Sequence, residues 1–184
     1  MVYGNAKIGY EEILSFLKKR VNLLDGVVLS GGECMLSKEI FSLVYEIKSM
    51  GYCIKIDTNG SKPGKLCNLI ERGLIDYVAL DFKAPASKMF AITKSFLYSE
   101  FLQSLRLLKN SNIAFEVRTT FHSDLLSSFD VKEMIKLLES EGYTGNYYLQ
   151  AFRNGVETIG DPGYSTFDPE ISTFSKNEIK LVVR

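Results

Sequence analysis

The residues best placed to do chemistry lie near the ends of short β-rich runs. Tyr52 to Asp57, Asp76 to Lys83 and Ile113 to Thr120 each carry an acid and a base two positions apart: Lys55 with Asp57, Asp81 with Lys83, Glu116 with Arg118. Side chains alternate faces along a strand, so the members of each pair share one face. The opposite faces carry Tyr52, Ile54 and Ile56, then Val78, Leu80 and Phe82, then Phe115 and Val117. Those apolar faces must meet covering helices, which turns the charged faces inward, where an ion is costly unless paired. A single such pair reads equally well as a structural salt bridge. Three aligned pairs favour the polar floor of a site for a charged, zwitterionic ligand.

Two loops add to this. Ser30-Gly31-Gly32-Glu33 follows the strand-like run Gly26 to Ser30, and paired glycines there let the backbone approach a ligand closely, though a tight turn explains them as well. Asp57-Thr58-Asn59-Gly60 closes the next run with turn-forming residues, at the level of Glu33 and Asp81. His122, the only histidine, follows Arg118-Thr119-Thr120 and reads as a solvated loop residue, with a catalytic role as the alternative. Cys34, Cys53 and Cys67 are an odd number and widely spaced, which argues against a disulfide framework and against a cysteine-held metal. Cys53, within an apolar run, reads as a small core residue.

The elements that must position these residues alternate in type. Helical spacing is expected over Glu11 to Leu24, Ser37 to Met50 (Ser37 as N-cap, Gly51 past the end), Lys65 to Arg72, Leu97 to Lys109 and Asp130 to Glu141. Between them fall Gly26 to Ser30, the three charged runs and Tyr147 to Phe152. A Gly/Pro/Ser-rich loop, a short helical patch near Asp168 to Lys176 and a last strand at Ile179 to Val183 complete the chain. Such a βαβα rhythm predicts parallel strands joined by crossover helices, with function at the C-terminal ends of the strands. The 184 residues suit a single domain spanning 1–184. With 22 basic and 22 acidic residues there is no electrostatic footprint for nucleic acid or an acidic membrane. No run approaches the about 20 apolar residues of a membrane span, and the charged N-terminus is unlike a signal peptide, so a cytoplasmic location is expected.

Taken together, Ser30-Gly31-Gly32-Glu33, Asp57-Thr58-Asn59-Gly60, Asp76 to Pro85, Val117-Arg118-Thr119-Thr120 and Leu149-Gln150-Ala151-Phe152 resemble, in order and spacing, the radical-SAM activating enzymes. The resemblance covers almost the whole chain and is strongest to the activating proteins of anaerobic ribonucleoside-triphosphate reductase, with pyruvate formate-lyase activases as relatives. It implies an α/β fold, a partial (β/α) barrel with mostly parallel strands, and S-adenosyl-L-methionine (SAM) as cofactor. Gly31, Gly32 and Glu33 match the segment that receives the methionine amino group. Asp57, Thr58 and Asp81 match positions lining a small cation site beside the SAM carboxylate, in the turn that Asn59 continues. Lys83 and Arg118 match basic residues near that carboxylate, and Gln150 lies on the strand passing the adenosine. The implied partner is a glycyl radical enzyme such as anaerobic ribonucleotide reductase.

Two departures qualify the resemblance. Cys34 replaces a proline of the family. The Cys-x3-Cys-x2-Cys loop that holds the family's 4Fe-4S cluster, with the strand before it, is expected ahead of Tyr3 to Ile8 and is not in these residues. The expectation is an N-terminally truncated, inactive SAM-binding core that would carry a cluster only in a longer form, its Gly26 to Ser30 edge unpaired or covered by another copy. The alternatives are a non-catalytic relic acting as a SAM-binding or protein-interaction module and, less well supported, a barrel lyase with Lys83 as Schiff-base amine.

Overall fold

A computed structural model describes residues 8–156, 162–167, 171, 174 and 179–184. Its six strands are β1 (Gly26–Leu29), β2 (Cys53–Thr58), β3 (Tyr77–Asp81), β4 (Ala114–Phe121), β5 (Gly145–Ala151) and β6 (Ile179–Val183). They follow one another in sequence order in one sheet, and β1 with β2, β2 with β3, β4 with β5 and β5 with β6 pair in parallel. Parallel pairing demands a crossover between strands, which the helices supply. These are α1 (Tyr10–Lys18), α2 (Ile40–Ser49), α3 (Pro63–Glu71), α4 (Ala86–Thr93), α5 (Tyr98–Lys109) and α6 (Ser128–Ser140). The expected parallel α/β architecture is therefore present. Among the described residues no helix is long and apolar enough to cross a membrane.

The residues group into two compact units. One comprises Tyr3–Leu80 and Glu100–Phe115; the other comprises chiefly Asp81–Ser99 and Glu116–Arg184. The core of the first is built by the apolar face of β2 (Ile54, Ile56), by Val78 and Leu80 of β3, and by Val44, Ile47, Leu66, Leu69, Leu105 and Leu108, all essentially inaccessible. The core of the second is built by Phe82, Val117, Tyr147, Leu149, Val131, Met134 and Leu138. In it the Tyr147 hydroxyl is buried against Thr119 Oγ1 at 2.6 Å, satisfying a polar group that would otherwise be orphaned.

Local chemistry moves several element ends. α1 stops at Lys18 rather than Leu24, because Asn22 takes a left-handed conformation (φ 69°) that asparagine tolerates, and Leu23 and Leu24 are left exposed. Ser37 is not the N-cap of α2: its hydroxyl accepts from the Glu39 amide in the turn before the helix, which begins at Ile40. α3 starts at Pro63, whose fixed φ suits a first helical turn. α4 was not expected, since a single buried residue, Met89, leaves almost no periodic signal. α6 opens with a reciprocal capping box between Ser127 and Asp130. Apart from Ile171 and Phe174, the helical patch expected at 168–176 lies outside the described residues, as does the stretch 3–8 apart from Ile8.

Candidate functional site

In the first unit the C-terminal ends of β1 and β2 are joined by one carboxylate. Glu33 Oε1 accepts from Thr58 Oγ1 at 2.8 Å and from the Met35 amide at 3.1 Å, and Glu33 Oε2 accepts from the Asn59 amide at 2.7 Å. Glu33 is thus the cap of a short 3₁₀ turn, Cys34–Leu36, and the clasp that ties this turn to the end of β2. Thr58 passes the link on, its Oγ1 accepting from the Gly60 amide, while Asn59 Oδ1 accepts from Ser61. Before the clasp, Gly31 (φ 98°) and Gly32 (φ 52°) are exposed and left-handed, a backbone path closed to most side chains. No atom lies within 4 Å of where a Cβ would stand on either. Nothing beyond the adjacent residues crowds that side of the chain, so a ligand can approach the backbone there.

The charged face of β2 is half-buried, with Lys55 Nζ 3.5 Å from Asp57 Oδ1. Cys53 begins the same face and is exposed, a correction to the core position expected of it: alternation puts Ile54 and Ile56 inside and Cys53 with Lys55 and Asp57. The Asp57 carbonyl accepts from the Cys34 thiol at 3.3 Å. Burial, then the neighbouring Glu33 carboxylate, pushes that thiol up to about 11, so it stays protonated.

In the second unit Asp81 ends β3 and takes two cations. Arg118 Nε donates to Oδ1 at 2.5 Å and Lys83 Nζ donates to Oδ2 at 2.8 Å. Arg118 is 14% exposed, Asp81 20% and Lys83 41%. Asp81 thereby gathers two cations, groups of the kind that pair with a ligand carboxylate. In the third expected pair each member has a further partner: Glu116 is buried and accepts from Arg184 at 2.9 Å, and Arg118 donates to Asp81. Gln150 is half-buried near the end of β5, in register with Thr120.

His122 is buried rather than solvated. Its Nδ1 accepts from the Asp124 amide, so the ring is neutral and Nε2–H donates to the Gly163 carbonyl at 3.1 Å. With Ser123 and Asn154 bonding Ser165 and Thr166, it fastens the segment 162–167 beside the ends of β4 and β5. A lone histidine gave no sign of that partner, which is 41 residues away. Lys65 also escaped the sequence reading. Its ammonium donates to the Met35 and Ser37 carbonyls, and the available signal was a cation in a first helical turn, against the helix dipole.

The residues fit SAM and not an iron–sulfur cluster. In the first unit the exposed Gly31-Gly32 backbone suits the amino acid group of a methionine moiety; in the second, the Lys83 and Arg118 cations held by Asp81 suit a carboxylate. A cluster needs converging thiolates. Cys34 lies against Asp57 whereas Cys53 is four residues back along β2, about 13 Å at a rise of about 3.3 Å per residue. Cys67 is on α3, donating to Glu71 of the same helix. Among the described residues no group of three or more His, Cys, Asp or Glu side chains could hold a metal.

No protein-family profile matches the chain. It is 33% identical over 121 residues to a Methanocaldococcus jannaschii protein named "Putative glycyl-radical enzyme activating enzyme", and the match takes in 62% of the chain and 50% of that relative. The chain thus spans about half the length of the curated relative it matches. Among solved structures, Streptococcus suis SuiB bound to S-adenosylmethionine superposes with a TM-score of 0.75 at 10% identity, over all of this chain and 45% of that one. A domain of a pyruvate-formate lyase-activating enzyme from Bacteroides vulgatus gives 0.69 at 14%, over 88% of this chain and 99% of that one. AdoMet-bound anSMEcpe gives 0.68 at 18%, over 94% and 51%. The fold of this chain is the parallel-stranded partial barrel of the radical-SAM structures.

Proposed function

We propose that the chain is the SAM-binding core of a glycyl-radical-enzyme activase, of the anaerobic ribonucleotide reductase type. The observation that carries this reading is the open, left-handed Gly31-Gly32 backbone directly before the Glu33 clasp, at the C-terminal end of a parallel strand. The M. jannaschii relative's name and the SAM-bound structural neighbours support it. In this reading Gly31 and Gly32 accept from and donate to the methionine amino acid group, and Glu33, Thr58 and Asn59 hold that backbone in place. Asp57 orients Lys55 and anchors the Cys34 turn through its carbonyl. Lys83 and Arg118, set by Asp81, meet the carboxylate, and Gln150 faces the adenosine. SAM supplies the source of a hydrogen-abstracting radical in such activases, and the partner that yields the hydrogen is a glycyl radical enzyme.

The cysteine geometry favours a second reading alongside the first: as these residues stand, a SAM-binding or protein-interaction module without redox chemistry of its own. A Schiff-base role for Lys83 is disfavoured, because its amine is engaged by Asp81 at 2.8 Å and is 41% exposed rather than set in an apolar pocket.

Titration of the chain with SAM by calorimetry or ligand-observed NMR tests the proposal. Two or three charge-assisted hydrogen bonds at roughly 1.5–3 kcal/mol each, offset by ligand immobilisation, give an affinity on the order of 0.1–1 mM. Arg118→Ala abolishes that binding and Lys18→Ala, on the exposed face of α1, leaves it unchanged. No saturable binding by the wild type, or binding indifferent to Arg118→Ala, sinks the reading.

A further inference from the structure

The Glu33 clasp has a second anchor. Lys65, in the first turn of α3, donates to the Met35 carbonyl at 2.8 Å and to the Ser37 carbonyl at 2.9 Å. Positive charge in a first helical turn opposes the helix dipole, and α3 has no acidic residue there to offset it. A lysine occupies that unfavourable place, and its head group donates to two main-chain acceptors. Met35 is in the middle of the 3₁₀ turn whose N-cap is Glu33, and Ser37 is its C-cap. Three elements therefore meet on six residues: α3 holds the turn from one side through Lys65, and the end of β2 holds it from the other through Thr58 and the following Asn59.

We infer that Lys65 is a positioning residue for the ligand end of β1 and β2, setting the Glu33 carboxylate and, through it, the path of the Gly31-Gly32 backbone. Nothing beyond their chain neighbours lies within 4 Å of the Cβ positions of Gly31 and Gly32, so no packing at those positions restrains them. The residue that follows them, Glu33, is tied by three hydrogen bonds and caps a turn only three residues long. Without the ammonium, the Met35 and Ser37 carbonyls lose their donor and the turn is free to unwind, releasing the Met35 and Asn59 amides from Glu33. The ligand consequence rests on the SAM reading above. The local consequence does not.

The test pairs two measurements on the full chain: amide hydrogen exchange and SAM titration. Lys65→Met keeps the length of the side chain and removes its charge and donors. Expected is at least tenfold faster exchange of the Met35 and Asn59 amides with the Ile54 and Val78 amides unchanged, and about tenfold weaker SAM binding (about 1.4 kcal/mol). Lys65→Arg restores both, which a merely space-filling role does not predict. Unchanged exchange at Met35 and Asn59 overturns the inference. Faster exchange with undiminished SAM affinity overturns it equally, because the turn would then be loosened without consequence for the ligand. If the wild type binds no SAM, the functional reading fails, and the exchange and its rescue by arginine still decide whether Lys65 sets the clasp. Should Lys65→Met unfold, Lys65→Gln, which keeps one donor group, is expected to give an intermediate exchange rate; a wild-type rate there refutes the role.

Discussion

The Asp81–Arg118 pair decides how far the charged strand ends are architecture and how far they are a binding surface, and a double-mutant cycle separates the two. Arg118 and Asp81 are largely buried, with exposures of 14% and 20%. Opposite charges about 4 Å apart attract by about 4 kcal/mol at an effective dielectric near 20, and desolvation of both groups takes back part of this. Removing one partner of a buried pair costs roughly 3–5 kcal/mol, and the partial exposure here lowers that to about 2–3 kcal/mol for Asp81→Ala, which takes the carboxylate from both Lys83 and Arg118. Arg118→Ala is milder, about 1–2 kcal/mol, because Asp81 keeps Lys83. The double variant then falls near the worse single one, a coupling of about 1.5 kcal/mol. Urea unfolding midpoints at constant slope give all three values. Because the pair is shielded, its coupling persists at about 1 M salt, where the Debye length is about 3 Å. A coupling under about 0.5 kcal/mol, the size found for exposed pairs, refutes the argument. Lys83→Ala supplies the ligand arm: at 41% exposure it costs little stability, yet it weakens SAM binding if the clamp meets the carboxylate.

Gly60→Ala loses about 2–3 kcal/mol in the same assay: at φ 75° a side chain is strained, and its Cβ would meet Leu80 Cδ1 at 2.9 Å and Ser104 Cβ at 3.1 Å. Anaerobic reconstitution gives no more iron and sulfide with the wild type than with the Cys34→Ser/Cys53→Ser/Cys67→Ser variant; a stoichiometric excess in the wild type would mean that these thiols converge. Burial raises the Asp130 pKa, but the bonds from Lys88 and Ser127 outweigh it and hold the group below the usual carboxylate range. A depressed folded-state pKa contributes stability above the ordinary carboxylate pKa and loses it as pH falls through the folded value. The wild type minus Asp130→Asn stability difference should therefore shrink on acidification below the ordinary carboxylate range, and a difference that grows there contradicts the assignment.

Which parts of this architecture the sequence disclosed follows from the range of the interactions involved. Alternation along β2 and β3 was legible because one face of each strand is wholly buried, so Ile54, Ile56, Val78 and Leu80 had to be apolar. Element ends were less legible because they rest on single local choices, such as the left-handed Asn22 or the proline at Pro63. Cys53 has apolar neighbours in sequence yet shares the parity of Lys55 and Asp57, and the alternation of the strand is what exposes it. α4, with Met89 alone buried, offered no period to read.

The strand-end charges show where a correct pattern stops short of chemistry. Parity placed Asp81, Lys83, Glu116 and Arg118 on the right faces, yet parity cannot say which charge takes which. Only the fold delivers Arg118 to Asp81 and Glu116 to Arg184, two contacts between parts of the chain that are distant in sequence. Glu33 follows the same logic. Its motif suggested a group facing a ligand, while all the bonds its carboxylate is seen to make go to Met35, Thr58 and Asn59. A carboxylate so engaged is poorly placed to bind a ligand ammonium itself and well placed to fix the glycines before it. The ligand-facing chemistry of the motif then belongs to the backbone of Gly31 and Gly32, which depends on what holds Glu33. Glu33→Gln, which keeps an acceptor for Thr58 but surrenders the charge on which two bonds rely, should therefore weaken SAM binding by loosening that backbone, with the Asn59 amide exchanging faster in step. Weakened binding with the Asn59 amide still fully protected would instead place the Glu33 carboxylate on the ligand.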